Sequence, residues 1–234
     1  VIDLASEFGG QKITFGIDHP AEVMAKEIWF KGVGGTSFTL VMEGVTMEIT
    51  LPLLGRHFVP NALSAIASAS LFGIELEKVK EALEHLSPSP MRMEVLRPKE
   101  GVTLINDAYN ANPKSMALAL ETLAEVRGKG RAIAVLGDML ELGRLTKEAH
   151  EQIGKKVSDL SIDFLLALGE EASTVVQSAV RHGFPTKRAR IVESHSEAVS
   201  LLREMIQNGD WILVKGSRRM AMEKIVEGMA EGGA

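Results

Sequence analysis

From residue 102 onward short apolar runs alternate with longer amphipathic segments, and this rhythm narrows the possible folds more than any other feature of the chain. The runs at 102–105, 132–136, 164–168, 189–192 and 211–214 have the length and composition of buried strands. The segments at 113–126, 146–160, 170–182, 196–207 and 218–229 carry apolar residues at helical spacing. Strand then helix, repeated, predicts an α/β fold: a parallel sheet with helices on both faces. Local signals agree. Asn112-Pro113 supplies an N-cap side chain and a proline at the first helical position, and Ser194 with Glu197 has capping-box spacing.

In such sheets ligands bind beyond the carboxyl ends of the strands, and here those ends differ sharply in chemistry. After the first run come Asp107, Tyr109, Asn110 and Asn112. Turns and caps consume one or two such side chains, so the surplus marks a candidate site. After the second run come Gly137-Asp138 with Glu141, and after the fifth Lys215-Gly216-Ser217-Arg218-Arg219. Cations and a hydroxyl at a helix start, beside a glycine that admits close backbone approach, suit a carboxylate or a phosphate.

The residues before this region read differently. Segments 12–15, 37–42 and 45–51 alternate as β structure, the last two joined at Glu43-Gly44 as a hairpin. Gly32-Val33-Gly34-Gly35-Thr36-Ser37 is a loop between strands rather than a nucleotide loop, because no lysine follows a glycine there and Ser37 stands where the third dinucleotide glycine belongs. A small-residue helix is predicted over 59–72, with His57 just before it and Asn61 in its first turn, where the helix dipole favours anions. A second helix is predicted over 75–86. Ser87-Pro88-Ser89-Pro90 then interrupts regular structure and marks the domain boundary. Arg92 follows at this hinge, placed to clamp a phosphate from a flexible position.

Composition excludes several classes. The absence of cysteine removes disulfides, thiolate metal sites and cysteine nucleophiles, and a cytoplasmic compartment is the simplest expectation. A formal net charge of -5 gives no basic face for nucleic acid. The longest apolar stretch, 51–76, is broken by Arg56, His57, Asn61 and Glu75, so no membrane span is expected, and Asp3 and Glu7 interrupt any signal-peptide core. His150-Glu151 lacks the second histidine of a zinc-protease helix, position 154 being Gly, and no Gly-x-Ser-x-Gly elbow is present.

Four ordered motifs then meet a known pattern: Gly55-Arg56-His57 with Asn61-Ala62-Leu63; Asn106 to Pro113 with Ser115-Met116; Leu136-Gly137-Asp138-Met139-Leu140-Glu141-Leu142-Gly143; and Lys215-Gly216-Ser217-Arg218 with Met220, Met222 and Glu223. Together they resemble the Mur ligases over essentially the whole chain. Phe58 departs from the family's His-Asn pair. The resemblance implies that residues 1–88 are the C-terminal part of a central ATP-binding domain with a β-hairpin and two helices, 89–94 a hinge, and 95–234 a Rossmann-like C-terminal domain.

It also implies a reaction of peptidoglycan synthesis. ATP phosphorylates a peptide carboxylate, and an amine attacks the acyl phosphate through a tetrahedral intermediate. The motifs look most like the branch that joins D-alanyl-D-alanine to UDP-N-acetylmuramoyl-tripeptide, since the Asp-Asn-Pro-Arg motif of the diaminopimelate-adding branch is absent. By resemblance His57, Asn61, Arg92, Asp107, Tyr109 and Asn110 hold ATP, and Asn112, Ser115, Asp138 and Ser217 face the substrate or acyl phosphate. Lys215 and Arg218 are the implied catalytic cations. The family's Gly-x-x-Gly-Lys-Thr phosphate loop and the acidic magnesium ligands after it do not occur in these residues, so Mg2+ is expected to be held by a preceding segment and this chain is expected to be inactive alone. A monomer is expected. The alternatives are another acid–amino-acid ligase of the superfamily, of the folylpolyglutamate or cyanophycin type, and a non-catalytic module that binds a nucleotide or a peptidoglycan precursor.

Overall fold

The computed structural model describes residues 7–99 and 101–231. The chain divides into two compact units, one made of the segment up to Lys31 with Gly35–Pro52 and Arg56–Leu86, the other of Ser87 onward with Gly32–Gly34 and Leu53–Gly55.

The first unit carries a four-stranded sheet in the order β1-β2-β3-β4. Its strands are β1 (Phe15–Gly16), β2 (Val23–Phe30), β3 (Thr36–Met42) and β4 (Val45–Leu51). Glu43 and Gly44 both take positive φ and close the β3–β4 hairpin in two residues, Met42 pairing with Val45. Two expectations change. The strand expected at 12–15 shrinks to β1, which pairs parallel with β2. β2 itself was not legible, because a bulge between Lys26 and Trp29, with Glu27 in the left-handed region, breaks its period-two pattern. The sheet therefore has four strands where three β segments were expected. Phe38, Leu40, Ile49 and Leu51 are fully buried, as are Leu63 and Ile66 of the helix α1 (Val59–Leu71). The shorter α2 (Leu76–Glu84) buries Val79 and Leu83.

The second unit is built on a six-stranded sheet in the order β5-β6-β10-β7-β8-β9. The strands are β5 (Glu94–Lys99), β6 (Val102–Asp107), β7 (Ala132–Gly137), β8 (Phe164–Leu168), β9 (Ala189–Val192) and β10 (Trp211–Lys215). All pairings are parallel except that of the edge strand β5 with β6. β5 was missed in the sequence because Pro98 falls inside it and its register slips between Leu96 and Lys99, both marks of an edge. The helices are α3 (Pro113–Val126), α4 (Thr146–Asp159), α5 (Ala172–Arg181), α6 (His195–Met205) and α7 (Glu223–Ala230).

Alternate strand residues serve opposite faces. Leu104, Val135, Leu166 and Val214 join Leu202 of α6 and Ile225 of α7 in one core. The opposite face is covered by α3, α4 and α5, whose Leu120, Val157 and Ala179 are fully buried. The helix expected over 218–229 is interrupted. A 3-10 turn (Arg218–Met220) is followed by Ala221 at φ 48°, and only then does α7 begin.

Candidate functional site

The last strand in sequence, β10, inserts between β6 and β7, the first two of the parallel strands. Its register aligns Lys215 with Asp107 on one side and with Leu136 on the other. The three chemically distinct strand ends of the sequence thus lie side by side at one edge of the sheet. Their approach is close: a Cβ on Gly216 would stand 3.0 Å from Cα of Gly137 and 2.8 Å from Cγ of Met222. Glycine is needed here for contact between two protein turns, whatever else binds beside them.

Lys215 is only 2% exposed. Its Nζ donates to Oδ2 of Asp107 at 2.6 Å and to the carbonyl of Asn110 at 2.9 Å. Two of its three donors therefore bind the β6–α3 turn to β10. The other Asp107 oxygen accepts from the backbone N–H of Met93 at 3.1 Å.

Met93 belongs to a tightly tied hinge. Met91 and Met93 both have left-handed φ, 58° and 50°. Tyr109 N–H donates to the Met91 carbonyl, and the Glu94 carboxylate accepts from Met91 N–H at 3.1 Å and from the Asn106 amide at 2.9 Å. Arg92, between the two strained residues, projects outward with its guanidinium carbon 4.0 Å above the Tyr109 ring. Both side chains are exposed, so the cation is held in place and open to an anion.

Around the β10 turn, Ser217 acts as a junction. Its Oγ accepts from Leu140 N–H at 2.8 Å and lies 3.4 Å from the Ala111 carbonyl, while its N–H donates to the Asp138 carbonyl at 2.9 Å. His150, 1% exposed, accepts from Met139 N–H at its Nε2, so its Nδ1 carries the proton and donates to the Thr146 carbonyl at 2.7 Å. Arg218 is half-exposed and pairs through Nη1 with Glu223 at 2.8 Å.

The structure sorts the expected site residues into two groups. Arg92, Tyr109, Asn110 and Arg218 present exposed side chains. Others are engaged by the fold itself. Asn112 and Ser115 form a reciprocal capping box on α3, at 2.8 and 3.1 Å. Asp138 turns toward the neighbouring β8–α5 connection, its two oxygens accepting from the N–H groups of Glu170 and Glu171. Gly169 makes room for it, since a Cβ there would fall 2.4 Å from the carboxylate. Burial pushes the Asp138 carboxyl above its usual range, against the lowering by those two N–H groups. His57 and Asn61 belong to the first unit, His57 in a 3-10 turn with its ring 4.3 Å from that of Phe58, Asn61 exposed in the first turn of α1. Phe58 takes the N-cap position of α1 without a side-chain hydrogen bond.

Sequence reasoning missed Glu94 and His150 as parts of this edge, and, though it quoted Glu223 with the β10 turn, it missed the pairing of Glu223 with Arg218. The pairing was hidden by the expected continuous helix, in which residues five apart point about 140° away from each other; the left-handed Ala221 brings Glu223 back to Arg218. Among the described residues no group of three His, Asp or Glu side chains gathers where a cation could sit. No helix among them is long and apolar enough to cross a membrane.

Comparison with known proteins agrees with this architecture. The chain is 36% identical over 197 residues to UDP-N-acetylmuramoyl-tripeptide--D-alanyl-D-alanine ligase of Bacillus subtilis, covering 84% of this chain and 42% of that protein. Identity to the Escherichia coli protein of the same name is 36% over 200 residues, 85% of this chain and 42% of the relative. The chain therefore spans less than half the length of the curated relatives it matches. A crystal structure of MurF from Acinetobacter baumannii superposes with a TM-score of 0.81 at 29% identity, over 94% of this chain and 46% of that one. MurF of Thermotoga maritima, solved in complex with ADP, shares the fold at a TM-score of 0.79 and 22% identity, over 94% of this chain and 48% of that one. The Mur ligase middle domain matches residues 1–69, and the Mur ligase glutamate ligase domain matches residues 91–218, more than half of the sequence. By the second of these matches in particular, the chain belongs to the Mur ligase family.

Proposed function

We propose that these residues form part of an ATP-dependent ligase that joins D-alanyl-D-alanine to UDP-N-acetylmuramoyl-tripeptide, and that they do not ligate alone. The observation that carries this reading is the shared edge of β6, β10 and β7, where two exposed arginines flank one hinge residue. Arg92 follows Met91 in the chain, and Arg218 Nη1 lies 3.8 Å from Met91 Sδ. Joining a carboxylate to an amine through an acyl phosphate needs negative charge balanced at the transferred phosphoryl group and at the tetrahedral oxyanion, together with strict positioning. Two fixed guanidinium groups at one edge suit that demand.

Arg92 and Tyr109, with Asp107 and Asn110, take the nucleotide side. His57 and Asn61, in the first unit, are assigned to ATP by the family resemblance alone. Arg218 and the Ser217 turn take the acceptor side. Lys215 is assigned a positioning role, because its ammonium is buried against Asp107 and the Asn110 carbonyl. Asn112, Ser115 and Asp138 set the turns on which these groups stand. ATP, when bound, supplies the phosphoryl group that activates the carboxylate. The residues present offer guanidinium groups for phosphate charge and Tyr109 for the nucleoside, but no phosphate-cradling Gly-x-x-x-x-Gly-Lys loop occurs among them. Among the described residues no cluster of carboxylates or histidines fits magnesium.

The test is calorimetric and enzymatic. Titration with D-alanyl-D-alanine, and separately with ATP, is expected to give weak saturable heat that Arg218→Ala removes in the first case and Arg92→Ala in the second. A mixture of ATP, both substrates and this chain is expected to release no phosphate. Formation of pentapeptide product would refute the claim that it does not ligate alone. Dipeptide binding unchanged in Arg218→Ala would refute the acceptor assignment.

A further inference from the structure

At the opposite, amino-terminal edge of the same sheet, β8, β9 and the carboxyl end of α6 line a half-open cavity of about 200 Å³. Its wall alternates in character. Phe164 and Leu166 point from one face of β8, and Leu201 and Met205, one helical turn apart on α6, close over them. Leu166 belongs to the main core, and Phe164, Leu201 and Met205 pack against it half-buried. The rim is charged: Lys187, Arg188 and Arg190 stand against a single carboxylate, Glu204.

The rim cations are weakly compensated. Arg188 reaches Asp163 only at 4.0 Å, and that carboxylate is already engaged by Arg127 at 2.5 Å and by Ala132 N–H at 2.9 Å. Arg190 donates to the carbonyl of its neighbour Ala189. Arg131 also faces Phe164, its guanidinium carbon 5.2 Å from the ring centroid, but its charge is matched by a two-point pair with Asp210. Arg188 lies over the same ring at 5.7 Å. In a chain of net charge -5, this is a local excess of positive charge around an apolar floor.

We propose that this cavity is a binding site for a small anion with a single flat ring, an aromatic carboxylate or aryl phosphate, whose ring enters between Phe164 and Met205 and whose charge meets Arg188 and Arg190. Size and charge each narrow the class. A dry apolar cavity of roughly 150 Å³ takes one benzene ring, so this one admits a ring and little more. Apolar burial alone would hold a neutral ring. The rim selects an anion, because arginine pairs with carboxylate and phosphate through two parallel bonds and stacks on aromatic faces. The site lies at the end of the strands away from Asp107 and Lys215 and does not depend on the ligase reading.

The experiment is a titration of the 234-residue protein with phenyl phosphate, followed by backbone amide NMR and calorimetry. Benzyl alcohol serves as the neutral ring, inorganic phosphate as the ringless anion, and Arg188→Gln/Arg190→Gln as the variant. Both arginines are exposed, and retained amide spectra establish that the variant folds. The expected result is saturable phenyl phosphate binding at least tenfold tighter than either control, weakened at least tenfold in the variant. Shifts are expected at 164–166, 187–190 and 201–205. Equal binding of benzyl alcohol or inorganic phosphate, unchanged binding in the variant, shifts confined to the Asp107–Lys215 edge, or no saturation would each overturn the proposal.

Discussion

Asp107 and Asp138 are both largely buried at the carboxyl edge of one sheet, yet the fold neutralises them by different means. Asp107 meets a full positive charge, Lys215, at 2.6 Å. Removing one partner of a buried pair leaves the other charge uncompensated, which typically costs about 3–5 kcal/mol. Lys215→Met keeps much of the side-chain volume but strands the Asp107 carboxylate and the Asn110 carbonyl, so a loss in that range is expected from urea unfolding. Adding Asp107→Asn should recover part of it. A loss below about 1 kcal/mol would show that the pair behaves like a surface ion pair. Asp138 has only backbone N–H groups, and burial raises its pKa as the dominant cause. Between the unfolded and the raised folded pKa the native state binds more protons than the unfolded state. Its contribution to stability is therefore largest below the unfolded value, about 3.9, and falls as pH rises through the folded one. Asp138→Asn is expected to flatten that part of the stability–pH curve, and an unchanged slope would assign the titration elsewhere.

At the scale of elements, close packing and capping make separate predictions. Gly154 of α4 faces α5 so tightly that an added Cβ would lie 2.2 Å from the Val175 carbonyl, a backbone atom that cannot rotate away. Gly154→Ala should therefore destabilise by about 1–3 kcal/mol, even though alanine is the better helix former. Thermal unfolding of the variant checks it, and a raised midpoint would mean that the two helices separate easily. Asn112→Ala removes half of the α3 capping box and should cost about 1 kcal/mol. If Asn112 also touches the dipeptide, its affinity will fall by more than the stability loss explains.

The same elements show what the sequence could and could not tell. Asn112-Pro113 announced α3 because capping is local chemistry, and the apolar runs announced β6, β7, β8 and β10 because these are largely buried on both faces, whereas the edge strand β9 buries only Ala189 and Val192. β2 and β5 escaped because a bulge and an edge proline erase periodicity. Ser194 was legible as a cap, but Glu197 reaches back to Glu193 N–H at 2.7 Å, one residue beyond the expected partner. The candidate site was legible as three separate polar turns. Their adjacency was not, because it depends on β10 entering the sheet between β6 and β7, a long-range choice with no local mark. Nor could spacing reveal that Lys215 is buried; a cation after a strand looks the same whether it faces solvent or an aspartate.

At the scale of the whole molecule, the chain divides into two compact units, and it passes from one to the other at Ser87-Pro88-Ser89-Pro90 as well as where Gly32–Gly34 and Leu53–Gly55 join the second. The two prolines deprive this connection of backbone donors, and Pro90 stands in a turn in which Arg92 N–H donates to the Ser89 carbonyl at 3.2 Å. The chain carries its own reporters: of its two tryptophans, Trp29 lies in β2 of the first unit and Trp211 opens β10, a central strand of the second. The larger second unit exposes more surface on unfolding, so its transition should be the steeper in denaturant. Fluorescence of Trp211→Phe, which reports Trp29, and of Trp29→Phe, which reports Trp211, is therefore expected to give urea curves that differ in midpoint and slope. Lys215→Met should shift only the curve read at Trp211, because the pair it breaks lies wholly within that unit. Coincident curves, or equal displacement of both by Lys215→Met, would mean that the molecule unfolds as one cooperative body. The buried Asp107–Lys215 pair would then stabilise the first unit as well as the sheet that contains it.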